Sequence, residues 1–320
     1  MRRIIVILIF IGAGLSSNAQ QQYVFTNFML NDYYYNPAIA GSRDVSLANL
    51  VYRNQWAGFD DAPVSLMGNF YGSVKNEGQH GYGVSLISDK TGLTQNTGFY
   101  VNYAYHVKLN ETIKLGLGVK PGYMQYRVRL YDAQLADEGD DVLTGNILSA
   151  NAIDLSSGFH LYSDKFFVMG SMQHLLGKAI SFTSYNQSLS KHFTLIGGYN
   201  FSVEKKKLDF QPSLMLKYVK PVPPQASIMF KATYDKKYWA GLTYRTGDAI
   251  GLALGMKIKD RLNIGYAFDY SLGGIRAYQS GSHEIMISFI TTSNKPTLDE
   301  EDEELNNSIL KGNNDKIKEE

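Results

Sequence analysis

Leu262-Asn263-Ile264-Gly265-Tyr266-Ala267-Phe268-Asp269-Tyr270-Ser271-Leu272 places an apolar side chain at every even position and a small or polar one at every odd position. Consecutive side chains on a strand point to opposite faces, so this alternation describes a strand with one greasy and one spare face. Its length suits a tilted strand crossing a bilayer, which takes about 9–11 residues.

The pattern recurs in both directions along the chain. Phe99, Val101, Tyr103, Tyr105 and Val107 alternate with Tyr100, Asn102, Ala104 and His106, and Ile250, Leu252, Leu254, Met256 and Ile258 alternate with Ala249, Gly251, Ala253, Gly255 and Lys257. Phe193, Leu195, Tyr199 and Phe201 continue it. Fourteen such stretches are expected, near 44–53, 63–74, 81–89, 96–107, 113–126, 152–162, 166–175, 191–202, 208–218, 225–234, 238–245, 249–258, 261–272 and 282–290.

The connections sort into two sets. After every second strand comes a short charged turn: Lys75 to His80, Lys108 to Thr112, Ser163 to Lys165, Val203 to Lys207, Asp235 to Lys237, Lys259 to Asp260. The other set is more varied, with long excursions over 127–151 and 176–190. Short turns on one side and long loops on the other mark an all-β, antiparallel, up-and-down outer-membrane β-barrel of about fourteen strands. Closure is required because an open edge in hydrocarbon would leave backbone groups unpaired. A sandwich seldom runs to this many strands in one unit, and no blade-like repeat suggests a propeller. Tyrosines at strand ends (Tyr52, Tyr71, Tyr82, Tyr105, Tyr126, Tyr162, Tyr218, Tyr234, Tyr244) suit interfacial girdles.

Composition agrees. The 320 residues include 23 Tyr, 16 Phe and 30 Gly and no Cys, which excludes disulfide scaffolds and thiolate chemistry. With 31 basic and 30 acidic residues the formal charge is +1, which removes the electrostatic case for nucleic acid. Mean hydropathy is −0.22, too polar for a bundle of membrane helices.

Four regions follow. Residues 1–19, with Arg2-Arg3, an apolar core from Ile4 and Ser17-Asn18-Ala19, read as a secretory signal peptide. Residues 20–42 form an N-terminal periplasmic segment or plug, too apolar at Tyr23, Phe25, Phe28, Met29, Leu30 and Tyr33-Tyr34-Tyr35 to float free. Residues 43–292 form the barrel. Residues 293–320 carry nine acids and four lysines without an aromatic, a composition expected to be disordered on the periplasmic side.

Chemistry is scarce. The six histidines lack metal-ligand spacing, and His106, His160 and His174 suit lumen or girdle positions. Ser282 and His283 are adjacent on a strand, so they face opposite ways and cannot act as nucleophile and base. The acids of Leu135 to Asp141 do not follow the order of a calcium loop. No enzymatic activity, metal or cofactor is expected. Two segments look like partner contacts: the loop at Arg53, Asn54, Gln55, Trp56, Phe59 and Asp60, and the N-terminal Tyr33, Tyr34, Tyr35, Asn36 and Pro37.

Several ordered blocks resemble the PorP/SprF family of type IX secretion outer-membrane proteins. They are Asn36 to Ser42, Tyr52 to Trp56 with Gly58-Phe59-Asp60 and Ala62-Pro63, and Tyr162 to Phe166. His174 to Leu176, Tyr244 to Ala249, Ile264 to Tyr270 and Gly281 to Met286 continue the resemblance, from which the acidic tail departs. It implies a non-enzymatic outer-membrane component of secretion and gliding motility that anchors a secreted adhesin's type B C-terminal domain. Other type IX components, a periplasmic peptidoglycan-binding protein and outer-membrane lipid are the further implied partners. An even strand count brings both termini to the periplasm. A passive pore, or a structural anchor between membrane and cell wall, are the alternatives.

Overall fold

The computed structural model describes residues 24–74, 79–129, 147–177, 179–181 and 186–293 of the chain. The signal-peptide segment, the acids of 135–141 and the tail beyond Ser293 lie outside the described residues.

Seventeen strand segments follow in order: β1 (Val45–Asn54), β2 (Val64–Ser73), β3 (His80–Thr91), β4 (Thr94–Lys108), β5 (Lys114–Arg129), β6 (Ile147–Tyr162), β7 (Phe166–Gln173), β8 (Ala179–Ser181), β9 (Asn186–Ser188), β10 (His192–Tyr199), β11 (Phe201–Val203), β12 (Leu208–Val219), β13 (Val222–Tyr234), β14 (Tyr238–Arg245), β15 (Ala249–Ile258), β16 (Leu262–Ser271) and β17 (Ser282–Ser293). β8 and β9 form a small separate hairpin, and β11 continues the stave of β10 past Asn200. Each remaining strand pairs antiparallel with its neighbours. β1 pairs with β17, and β10 pairs with both β7 and β12, so the sheet closes as a fourteen-stave barrel. Closure leaves no edge, the condition a hydrocarbon environment imposes on backbone amides.

Side chains obey the alternation read in the sequence. Leu86, Phe99, Val101, Leu117, Leu195, Leu242, Leu252, Leu254 and Phe289 point outward and are exposed. Soluble monomers rarely expose contiguous apolar patches beyond a few hundred Å². A continuous belt of this kind fits lipid tails.

The inner face departs from expectation. It is small or polar in part, but it also carries Met67, Met169, Met215, Met229 and Met286, with Ile196 and Trp239. These pack in one buried cluster with Phe25, Phe28 and Tyr33–Tyr35 of the N-terminal segment. Apolar side chains are stable inside this barrel because the segment fills the lumen and excludes water. Tyr71 and Tyr126 are buried on this inner face, and Tyr162 turns its hydroxyl to His106, so these three are not girdle residues. Tyr52, Tyr105, Tyr218, Tyr234 and Tyr244 do lie on the outer face.

β5 and β6 run on to Arg129 and from Ile147, so the long excursion is shorter than 127–151. Of the residues ceded, Arg127 to Arg129 pair with Ile147 to Ser149, and Ala150 and Asn151 pair with Tyr126 and Gln125. Other connections at that end are short: Gly92-Leu93 and Lys220-Pro221 have only two residues. The two mouths are called here the loop mouth, with 55–63 and 272–281, and the turn mouth, with 109–113, 163–165, 204–207, 235–237 and 259–261.

Candidate functional site

Residues 24–41 occupy the lumen as a short irregular segment with one helical turn, α1 (Asp32–Tyr35), and a 3₁₀ turn at Pro37–Ile39. Asn36 lies between them in extended conformation, its side-chain oxygen capping the second turn at the Ala38 amide, 2.9 Å away. Pro37 at the first position of that turn has no amide to lose.

The wall is shaped to this segment. A β-carbon on Gly81 would overlap the Ala40 carbonyl, and one on Gly118 would sit 2.5 Å from the Ala38 amide nitrogen. Asn36 Nδ2 donates to the Phe159 carbonyl at 2.8 Å and to that of Gly170 at 3.2 Å, which pins it to the β6–β7 seam. Further along, Gln173 donates to the Tyr34 carbonyl at 3.1 Å, Ser171 to that of Tyr35 at 2.7 Å, and Asn102 to that of Pro37 at 3.0 Å. His106 Nε2 lies 2.7 Å from the Ala40 carbonyl. A carbonyl only accepts, so Nε2 carries the proton and Nδ1 receives the Tyr162 hydroxyl at 3.1 Å. Tyr33 stacks on Tyr71 with centroids 4.1 Å apart, and Lys120 Nζ sits 4.7 Å above the Tyr33 ring.

The strongest attachment is a buried charge cluster beneath the loop mouth. Arg53 Nη2 donates to Asp269 Oδ2 at 2.7 Å, and Nη1 donates to Glu284 Oε2 at 3.2 Å. Arg245 Nη2 reaches the same Asp269 oxygen at 3.2 Å, and its Nη1 reaches Asp248 at 2.7 Å. Thr26 stands at the centre. Its amide donates to Glu284 Oε2 at 2.8 Å, its hydroxyl donates to Asp269 Oδ1 at 2.7 Å, and the hydroxyl oxygen accepts from Arg53 Nη1 at 2.8 Å. Asn31 Nδ2 adds a bond to Glu284 Oε1 at 3.2 Å. Such a cluster ties the segment to β1, β14, β16 and β17 together. Losing one member would strand the others as uncompensated charge. Below it, Arg43 pairs with Asp32, whose carboxylate holds the guanidinium above its ordinary range.

The proposed contact residues separate. Arg53 is 1% exposed and faces inward, so it holds the luminal segment instead of reaching a partner. Strand parity explains this: Tyr52 takes the outer face and Arg53 the inner. Tyr33, Tyr34, Tyr35, Asn36 and Pro37 are likewise buried in the lumen, where their aromatic area is already spent on the wall. Asn54, Gln55 and Trp56 are half-buried in the loop, while Phe59 and Asp60 are exposed. The loop is braced against 272–281 by Trp56 N to Ser282 Oγ at 3.0 Å, Ala57 N to Gly281 O at 2.8 Å and Ser280 N to Ala57 O at 2.7 Å. The sequence reading did not single out that second loop. It exposes Tyr278 more than any other large apolar residue of the described chain, and Arg276 lies over the Tyr270 ring at 5.4 Å. Ser282 faces inward and His283 outward beside Tyr266, as their adjacency required. Among the described residues no three His, Asp or Glu side chains are grouped to hold a metal ion.

The cluster has a further property. Arg53, Arg245 with Asp248, Asp269 and Glu284 come from four separate sequence blocks: Tyr52 to Trp56, Tyr244 to Ala249, Ile264 to Tyr270 and Gly281 to Met286. These are the blocks on which the family resemblance rests. The family model described as type IX secretion system membrane protein PorP/SprF matches residues 17–289.

The chain belongs to the PorP/SprF family.

This PorP/SprF protein is therefore a membrane component of the type IX secretion system, and its fold is that of outer-membrane barrels. The CymD monoaromatic hydrocarbon channel superposes with a TM-score of 0.50 at 10% identity, covering 85% of this chain and 94% of that one. A Pseudomonas aeruginosa FadL homologue gives 0.48 at 9% identity, covering 80% and 93%. The Acinetobacter baumannii outer membrane protein Omp33 gives 0.44 at 8%, covering 78% and 99%. At these identities the likeness concerns the fold. No curated protein matches the sequence.

Proposed function

We propose that this barrel is a non-enzymatic docking component that receives the C-terminal domain of a secreted adhesin and holds it at the cell surface, in the service of secretion and gliding motility. The observation that carries the reading is the filled lumen. Residues 24–41 are hydrogen-bonded to wall residues on β4, β6, β7, β14, β16 and β17 and accept from Arg53 of β1, which suits a rigid platform and disfavours a conduit. Contact then falls to the loop mouth, where Phe59, Tyr270 and Tyr278 stand exposed beside Arg276 and Asp60. Aromatic and Arg anchors commonly dominate protein interfaces.

On this reading the turn mouth faces the periplasm. There the exposed Lys205–Lys207, Lys236, Lys237 and Lys259 offer a surface to other type IX components or a peptidoglycan-binding protein. The outer wall meets outer-membrane lipid. The test is affinity purification from native envelopes with mass spectrometry, comparing the natural chain with the double variant Phe59→Ala, Tyr278→Ala. Recovery of an adhesin fragment that falls at least tenfold in the variant supports the proposal. A passive pore predicts a large steady conductance and no cargo, and that result would replace it.

A further inference from the structure

Strands β3 to β6 pair in a register that lines up their outward side chains in rows across the outer wall. In one row Leu86, Phe99, Tyr123 and Ile153 lie side by side, all exposed, within the apolar belt. Two residues nearer the loop mouth, the row is Ser88, Thr97, Gln125 and Asn151. It offers hydroxyls and amides throughout, and Gln125 Nε2 donates to Asn151 Oδ1 at 3.2 Å. Two residues further on, the row is Lys90, Gln95, Arg127 and Ser149. Steps of two along a strand keep all three rows on one face.

The charge on this face has one sign. The carboxylates of these four strands are Asp89 and Asp154, and both turn inward, where they accept from Ser65 and His174. Among the described residues neither Lys90 nor Arg127 has a carboxylate partner. Arg129, next along the same face, is already engaged, with Nη2 donating to the Gly92 carbonyl at 3.3 Å. Lys90 and Arg127 flank Gln95, so two strand spacings, about 10 Å, separate their backbones. Both side chains are long and can converge on one anion or hold two. Elsewhere near the loop mouth the outer wall carries Tyr52, Tyr218, Tyr244 and Tyr270, which suit a membrane interface but select no charge.

We propose that this sector of the outer wall binds a phosphate-bearing membrane lipid. Its acyl chains lie on the row of Leu86 to Ile153, its ester or amide linkages meet the row of Ser88 to Asn151, and its phosphate accepts from Lys90 and Arg127. The order of the rows carries the argument, because apolar, then hydroxyl and amide, then cationic is the order of a lipid's own parts from the hydrocarbon outward. The apolar row is four strands wide, about 14 Å across three spacings, which suits a lipid with several chains. The leaflet rests on the orientation proposed above. The headgroup chemistry does not, and neither depends on what the loop mouth docks.

The test titrates the full chain in detergent with lipid A, a multiply acylated lipid carrying two phosphates, and counts bound lipid by native mass spectrometry. The comparison is the double variant Lys90→Gln, Arg127→Gln, with its folding checked by heat-dependent mobility. The natural chain should half-saturate at about fivefold less lipid A, an effect within reach of two exposed ion pairs. The gap should narrow in high salt and vanish with lipid A stripped of its phosphates. Equal binding by the natural chain and the double variant would overturn the proposal. A gap that survives removal of the phosphates would overturn it too, by leaving only acyl packing. The pair Lys206→Gln, Lys236→Gln at the turn mouth should bind as the natural chain does; an equal loss there would reduce the effect to net charge and reject the site. Inorganic phosphate in excess should leave lipid A bound, and its displacement would make this a site for a free anion instead. Should the double variant not fold, Arg127→Gln alone should still weaken binding about twofold.

Discussion

Arg53 and Thr26 are joined by a 2.8 Å hydrogen bond from Nη1 to the hydroxyl oxygen, inside a lumen where neither side chain reaches solvent. Through that bond the first described turn of the chain is fastened to β1 and, by the shared carboxylates, to β16 and β17. Two arginines face two buried carboxylates, with Asp248 at the rim as a third. The two buried arginines balance the two buried carboxylates, and Asp248, the third, is partly exposed to water at the rim.

Replacing Arg53 by Ala removes a side chain that touches Asp269, Glu284 and Thr26 together. Leaving buried carboxylates without their partner typically costs about 3–5 kcal/mol. The variant barrel should unfold at a lower temperature in detergent, read by the heat-dependent shift of its electrophoretic mobility. Arg276→Ala, on the exposed loop, should leave that temperature unchanged. Equal behaviour of the two variants would remove the cluster as a stabilising latch.

Removing residues 24–38 while keeping residues 1–23 and β1 should unblock the lumen. In planar bilayers the natural protein should show little steady current and the deletion variant a larger one. A large current through the natural protein would mean that the segment does not seal the barrel.

Leu252 and Ala253 are neighbours in β15 that face lipid and lumen respectively. Leu252→Arg puts charge into hydrocarbon, with a cost of about 2–4 kcal/mol near the midplane. Ala253→Leu overfills a packed interior, with a cost of about 1–3 kcal/mol. Both should lower folding yield into lipid vesicles, but only the Leu252 defect should ease in a thinner bilayer. A shared response to bilayer thickness would contradict the assigned faces.

At the turn mouth Lys207 Nζ lies 3.0 Å from Asp235 Oδ1. The hydrogen bond and charge of Lys207 hold the Asp235 carboxyl below its usual range, and Asp235 likewise raises Lys207. A lowered carboxylate contributes above its unfolded value, about 3.9, and loses the contribution as pH falls through its folded one. A raised lysine contributes below its unfolded value, about 10.4, and loses the contribution as pH rises through its folded one. The pair lies at the water-facing surface of the turn, so Asp235→Asn should barely move the melting temperature at neutral pH. Any difference from the natural chain should be flat near neutrality and close at the acid end. A difference that grows with acid would contradict the pairing.

Much of this protein was legible in one dimension. The period of two from Leu262 to Leu272, repeated fourteen times, determines strand number, the lipid-facing set and closure, because an apolar belt of that length leaves backbone groups no other partners. Adjacency alone placed Ser282 and His283 on opposite faces. The destinations of the inward residues were not legible, since alternation says which way a side chain points and not what it will meet. Arg53 read as a loop anchor, and Tyr71, Tyr126 and Tyr162 as girdle residues, because sequence carries no signal that another segment fills the lumen. Only the closed barrel brings Arg53, Arg245, Asp269 and Glu284, up to 231 residues apart, around Thr26. That convergence depends on strand register and barrel curvature, which arise from the pairing of all fourteen staves at once and are encoded in no single stretch.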